Sequence, residues 1–176
     1  MEANETALTY LNQNKLLYLN MLEVLRRGSA ELLYAGEDGV LLYDRGAEAH
    51  MLSARNRGAL EKFLPFLEGS DIVVGHEDWY REELTQRLGM WQETPCYQAA
   101  WLAEESPELP PFDGKLRPLG LEWAPFIFAH YGKSDIGGLP HIEEAVRQGM
   151  LGAFVDGELA GFVGFHPEGS SGLLEG

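Results

Sequence analysis

The chain has 176 residues, 45% of them apolar and 11% aromatic, enough for the core of one ordinary domain or two small ones, which excludes global disorder. Its 13 basic residues against 28 acidic ones leave a formal net charge of −15, which repels phosphate backbones and sets nucleic acid aside as a partner. The start, MEANETALTYLNQNK, lacks the basic opening and apolar run of a signal peptide, and no stretch approaches the roughly 20 uninterrupted apolar residues of a membrane-spanning helix. A soluble, cytoplasmic protein without membrane contact is the expectation. The single cysteine, Cys96, can form neither an internal disulfide nor a cysteine-type zinc site; it reads as a small core residue in a reducing compartment.

Within residues 7–27, Leu17, Met21, Val24 and Leu25 recur at helical spacing ahead of Arg26, Arg27 and a stop at Gly28, which predicts one amphipathic helix. Residues 31–52, ELLYAGEDGVLLYDRGAEAHML, hold two β-rich runs around Asp38-Gly39 and a third after Arg45-Gly46. Asp-Gly suits a hairpin turn because such positions need positive φ, so a three-stranded antiparallel meander is expected. Residues 53–69 follow with Leu60, Phe63, Leu64 and Leu67 on one helical face and Gly69 as the stop. A short buried strand at 71–74 (DIVV), a helix over 77–89 and a strand over 96–103 (CYQAAWLA) would complete one α/β layer.

Residues 104–114, EESPELPPFDG, carry three prolines and four acids and read as a linker. The pattern then restarts. A short strand at KLRPLG precedes a helix from Leu121 to about Tyr131, a Gly-rich break over 132–138, and a helix through HIEEAVRQG with Pro140 near its first turn and Gly149 at its end. The chain closes on GAFVDGELAGFVGFHPEGSSGLLEG, which reads as strand, tight turn, strand, loop and strand. Both meanders run apolar strand, Asp-Gly turn, apolar strand, Gly-bearing loop, apolar strand, a similarity of pattern that suggests a structural duplication. The expected organisation is residues 1–103, a linker at 104–114, and residues 115–176 as the front half of a second copy, cut short. The expected fold class is α/β (α+β), with mixed, mainly antiparallel sheets flanked by helices.

Residues 115–176, above all GAFVDGELAGFVGF with Gly161 and Gly164, resemble the N-terminal half of a domain of the GNAT superfamily of acyl-CoA-dependent N-acyltransferases, and residues 1–103 resemble a degenerate first copy. The resemblance implies attack of an amine, small-molecule or peptide, on the thioester of acetyl-CoA, with a general base taking the amine proton and a backbone N–H of the fourth strand polarising the carbonyl. It also implies that Leu173, Leu174 and Glu175 line the cofactor arm, that Glu175 is the candidate base, and that Tyr131, His141 and Glu143 border the acceptor. Alternation along the strand gives Glu175 a second reading, as a carboxylate turned to solvent. For His141, Glu143 and Glu144, electrostatic complementarity to a helix start is the competing reading.

The superfamily's pyrophosphate signature, Gln/Arg-x-x-Gly-x-Gly/Ala at the helix after the fourth strand, would lie beyond residue 176 in the second copy. In the first copy Arg55-Asn56-Arg57-Gly58-Ala59-Leu60 stands there, with a bulky Leu60 expected to obstruct the phosphates, a relic of the site. His130, His141 and His166 lack metal-ligand spacing, so no metal is assigned. Trp79, Trp91, Trp101 and Trp123 are expected in core or interface packing. The competing function is a non-enzymatic binding or assembly module. Either way an open sheet edge would favour self-association.

Overall fold

A computed structural model describes residues 2–97, 102–105, 107–131, 138–164, 166–167 and 174–175. They fall into two compact units, Met1–Leu102 and Ala103–Gly176. The architecture is mixed α/β: a four-stranded mixed sheet in the first unit and a three-stranded antiparallel sheet in the second, flanked among the described residues by six α-helices.

The single helix expected over residues 7–27 is broken in two. Helix α1 (Glu2–Leu11) gives way to a 3-10 turn over Asn12–Asn14, and α2 (Leu19–Arg27) follows. The asparagines are the physical cause, because short amide side chains compete for the backbone groups that a continuous helix would pair. The Asn12 amide donates to Leu8 O at 2.7 Å, and Asn14 Oδ1 accepts from Leu17 N at 3.3 Å.

The first meander forms as expected, with β1 (Ala30–Gly36), β2 (Gly39–Asp44) and β3 (Ala49–Ala54) pairing antiparallel in that order. Its first turn differs from the expectation. Gly36 pairs with Gly39, so the loop residues are Glu37 and Asp38, and neither has positive φ. Gly39 is needed for close approach instead: a Cβ there would stand 2.6 Å from Ser53 O and 2.8 Å from Phe63 Cζ. Asp38 ties the turn to the next helix, since its carboxylate accepts from Tyr34 Oη at 2.8 Å and Lys62 Nζ at 2.9 Å. Lys62 and Tyr34 hold that carboxyl below its ordinary range.

Helix α3 (Arg57–Leu67) starts on Asn56, whose side chain caps Ala59 N, and buries Leu60, Phe63, Leu64 and Leu67 as their spacing predicts. The chain then returns in β4 (Val73–Gly75), parallel to β3 with His50 opposite Val73 and Leu52 opposite Gly75. A helix between two parallel strands is the crossover that parallel pairing requires. At the sheet edge, Val73 and Val74 of β4 are half-buried and Gly75 is exposed, so β4 is not the buried strand expected there. A 3-10 turn (Asp78–Tyr80) and α4 (Arg81–Leu88) complete the layer.

Alternation along β2 and β3 splits the core of the first unit between the two faces of its sheet. Val40, Leu42 and Met51 pack with Ala7, Tyr10, Leu11, Met21 and Val24 of α1 and α2. Leu41, Leu52 and Ala54 pack on the other face with Leu60, Phe63 and Leu67 of α3, together with Tyr80 and Leu84. Beyond α4 no strand forms among the described residues of the strand expected over 96–103. Cys96 and Tyr97 lie exposed outside any strand, Leu102 and Ala103 are likewise irregular, and residues 98–101 fall outside the described set. Cys96 is therefore not a core residue, and Trp91, at 89% exposure, is not in core packing. The polar, proline-rich surroundings offer these side chains no apolar layer to enter.

In the second unit β5 (Lys115–Pro118) leads through a 3-10 turn at Leu121–Trp123 into α5 (Ala124–His130) and α6 (Gly138–Gly149), then β6 (Met150–Val155) and β7 (Glu158–Gly164). The sheet order is β5-β6-β7, all antiparallel. Its core joins Leu119, Ala124, Ile127, Ile142, Val146, Met150 and Phe154 on the helix-covered face. On the strands, Leu116, Val155 and Val163 stay exposed. A two-stranded ribbon pairs β8 (His166–Pro167) with β9 (Leu174–Glu175), so His166 sits in a strand rather than a loop.

The two hairpins share loop length but not geometry. The second turns through Asp156 at φ 52 and Gly157 at φ 88, as Asp-Gly chemistry favours, while the first turns without positive φ. Each carries a bulge, but on β1 in the first unit, between Leu32 and Tyr34, and on β7 in the second, where Ala153 and Phe154 face Gly161 and Leu159.

Candidate functional site

The strongest concentration of polar side chains lies in the first unit, at the end of the parallel pair β3–β4. Beyond β4 the chain places His76 and Glu77 against β3, and Tyr80 one 3-10 turn later. Glu77 Oε1 accepts from Tyr18 Oη at 2.7 Å and from Ser53 Oγ at 2.5 Å. Glu77 Oε2 accepts from Tyr80 Oη at 2.6 Å, with Ala54 N at 3.4 Å. Tyr10 Oη reaches Ser53 Oγ at 2.7 Å, and Tyr80 Oη also accepts from His76 N at 2.8 Å and Glu77 N at 3.1 Å.

Counting protons fixes the directions. A carboxylate only accepts, so Tyr18, Ser53 and Tyr80 each direct their one proton at Glu77, which leaves Tyr10 to donate to Ser53. The short Ser53–Tyr18 approach of 3.0 Å then adds no further donation. Burial pushes the Tyr18 and Tyr80 hydroxyls well above their ordinary range, reinforced by the negative Glu77, so both remain neutral donors.

His76 is the cluster's second knot. Its Nδ1 lies 2.9 Å from Leu52 O and so carries the proton, and its Nε2 lies 2.8 Å from the Asn20 side-chain amide. Burial lowers the pKa of the imidazole, against smaller opposing contributions from the Leu52 carbonyl and Glu77. The Asn20 atom facing Nε2 is Oδ1, which also accepts from Met21 N at 2.9 Å. His50, bonded to Ser70 Oγ at 2.9 Å, is also lowered by burial. The unfolded chain therefore binds more protons than the folded one once pH drops below the ordinary histidine range near 6.5, and stability falls as pH falls. The expected melting temperature is flat above about pH 7 and declines below about 6.5. An NMR titration placing both histidine midpoints above that value would contradict the assignment.

Chemically the cluster is a carboxylate surrounded by donors. The Ser53–Glu77 contact has the length of an activated nucleophile, yet Ser53 is fully buried, Tyr80 is 1% exposed and Tyr10 2%. Glu77 itself is only partly buried. The nearby start of α3 is likewise occupied. Asn56 Oδ1 takes the Ala59 N–H at 2.9 Å, and Arg57 is paired with Glu83 at 2.9 Å. Leu60 does not obstruct this helix start as expected, since its side chain is fully buried in the core below. The cap is what fills the position.

The residues singled out in the second unit are not brought together by any contact among the described residues. Tyr131 follows the last residue of α5, 39% exposed, with its N–H on Ile127 O at 2.7 Å. His141 is exposed on α6, and Glu143 on the same helix lies 3.4 Å from Arg147. Leu174 and Glu175 form β9, opposite Pro167 and His166, and Leu173 lies outside the described residues. Among the described residues no group of three or more His, Cys, Asp or Glu is placed to hold a metal ion, and no helix is long and apolar enough to cross a membrane.

Sequence reasoning missed the Glu77 cluster. Tyr10, Tyr18, Ser53 and Glu77 are spread over 68 positions of the chain, at no motif spacing. The available signal was local: hydroxyl-bearing residues at positions whose neighbours read as core, such as Tyr18 beside Leu17 and Ser53 beside Leu52. No family model matches the chain, and neither the curated proteins nor the solved structures contain a significant match.

Proposed function

We propose that the protein is an acyl-CoA-dependent N-acyltransferase of the GNAT type, in which the second unit carries the catalytic fold and the first unit is a closed, non-catalytic copy. The observation that carries this reading is the order β5, α5, α6, β6, β7 with the sheet running β5-β6-β7, the arrangement that the resemblance implied for residues 115–176. The first unit supports it with a meander followed by α3, β4 and α4, in the order expected of a fuller copy, although its opening helix is broken in two. The Glu77 cluster, with its buried Tyr10, Ser53 and Tyr80, and the capped start of α3 supply the reason the first copy binds no CoA.

In this proposal acetyl-CoA donates the acyl group to a small-molecule or peptide amine. Leu173, Leu174 and Glu175 border the cofactor arm, with Glu175 as base, and Tyr131, His141 and Glu143 line the acceptor side. The formal net charge of −15 favours a cationic acceptor by attraction at long range. Calorimetric titration of acetyl-CoA into the protein is expected to give saturable heat. No heat at millimolar ligand would remove the proposal. The same protein eluting as a dimer without ligand uptake would favour the assembly reading, for which the exposed Leu116, Val155 and Val163 on the second sheet speak.

A further inference from the structure

Four donors meet at the Glu77 carboxylate from separate places in the chain. They are the Tyr18 hydroxyl ahead of α2, the Ser53 hydroxyl and Ala54 N–H on β3, and the Tyr80 hydroxyl in the 3-10 turn. Both carboxylate oxygens are engaged, as in recognition of a free carboxylate ion. We infer that the first unit contains a carboxylate-binding site already filled by its own Glu77 side chain, and that acetate takes this place when the side chain is cut back to alanine.

The donors are positioned by contacts that do not involve Glu77's side chain. Ser53 is held by Tyr10 at 2.7 Å, and Tyr80 by the backbone N–H of His76 at 2.8 Å and the T-shaped contact of its ring with Trp79 at 5.0 Å. The Tyr18 ring is wedged between Tyr10 and His76, each at a centroid distance of 5.8 Å. The site thus survives loss of its occupant. Glu77→Ala deletes one methylene and the carboxylate, and acetate restores the same atoms, a methyl carbon bearing a carboxylate. In the wild type the tethered group outcompetes any free carboxylate, because its effective concentration is far above that of dissolved ligand. The inference concerns the first unit alone and stands apart from acyl transfer by the second.

Thermal melting of the whole chain tests it. In sodium chloride the Glu77→Ala protein is expected to melt on the order of 10 °C below wild type, because three buried hydroxyls lose their acceptor. Sodium acetate at matched ionic strength is expected to raise that melting temperature progressively, formate less so, and neither to move the wild type. A folded Glu77→Ala protein that responds equally to acetate and chloride overturns the inference. Should that variant fail to fold, Glu77→Gln decides. An amide offers one acceptor and two donors to a ring of donors, so its melting temperature is expected to fall and to ignore acetate. Glu77→Gln as stable as wild type would show that the site does not require a carboxylate.

Discussion

Phe63→Ala is expected to lower the stability of the first unit by about 3–5 kcal/mol, the range for deleting a fully buried aromatic ring. Phe63 has no exposed surface, packs edge-to-face on Tyr34 with centroids 5.2 Å apart, and stands directly over Gly39. The ring therefore fills the space that Gly39 leaves, and its removal opens a cavity against β2 that backbone cannot collapse into. Neighbouring Leu60, Leu64 and Leu67 are held by the same helix face, so relaxation is limited to side-chain shifts. Urea unfolding should show a lower midpoint with an unchanged slope. A loss below about 1 kcal/mol would mean that α3 is not seated on the sheet as described.

Tyr80→Phe is expected to cost roughly 3 kcal/mol or more, although it removes a single oxygen. That oxygen accepts from two backbone N–H groups, His76 and Glu77, and donates to the Glu77 carboxylate. Phenylalanine leaves both donors unpaired in a region where Tyr80 itself is 1% exposed, and takes one of the three hydroxyl donors from the carboxylate. Trp79 abuts Tyr80 and donates to Ala54 O, so tryptophan fluorescence follows the loss locally while circular dichroism follows it globally. A change within about 0.5 kcal/mol of zero would show that water replaces the hydroxyl and that the cluster is more open than its burial indicates.

Legibility in the sequence followed the range of the interaction involved. The face of α3 could be read because Leu60, Phe63, Leu64 and Leu67 lie within two helical turns of one another, and their burial follows from period alone. The Asp156-Gly157 turn could be read for the same reason, both residues taking positive φ. Asp38-Gly39 has the same dipeptide and a different outcome. There Lys62, 24 positions away, claims the aspartate, and Phe63 and Ser53 claim the space at the glycine. The break between α1 and α2 was written locally, in three consecutive polar residues, yet a hydrophobic period running across it concealed the signal.

The amino-acid order by itself settled the α/β class, the first meander, the hairpin of β6 and β7, the buried face of α3 and the pair α5 and α6, because each depends on period, turn chemistry or composition within about fifteen residues. Tertiary structure alone decided that β4 pairs in parallel beside β3, that Cys96 and Trp91 stay outside any core, and that three hydroxyl groups and a backbone N–H gather around Glu77. These outcomes turn on which distant segments meet, and a half-buried carboxylate is held where enough donors arrive together from elsewhere in the chain.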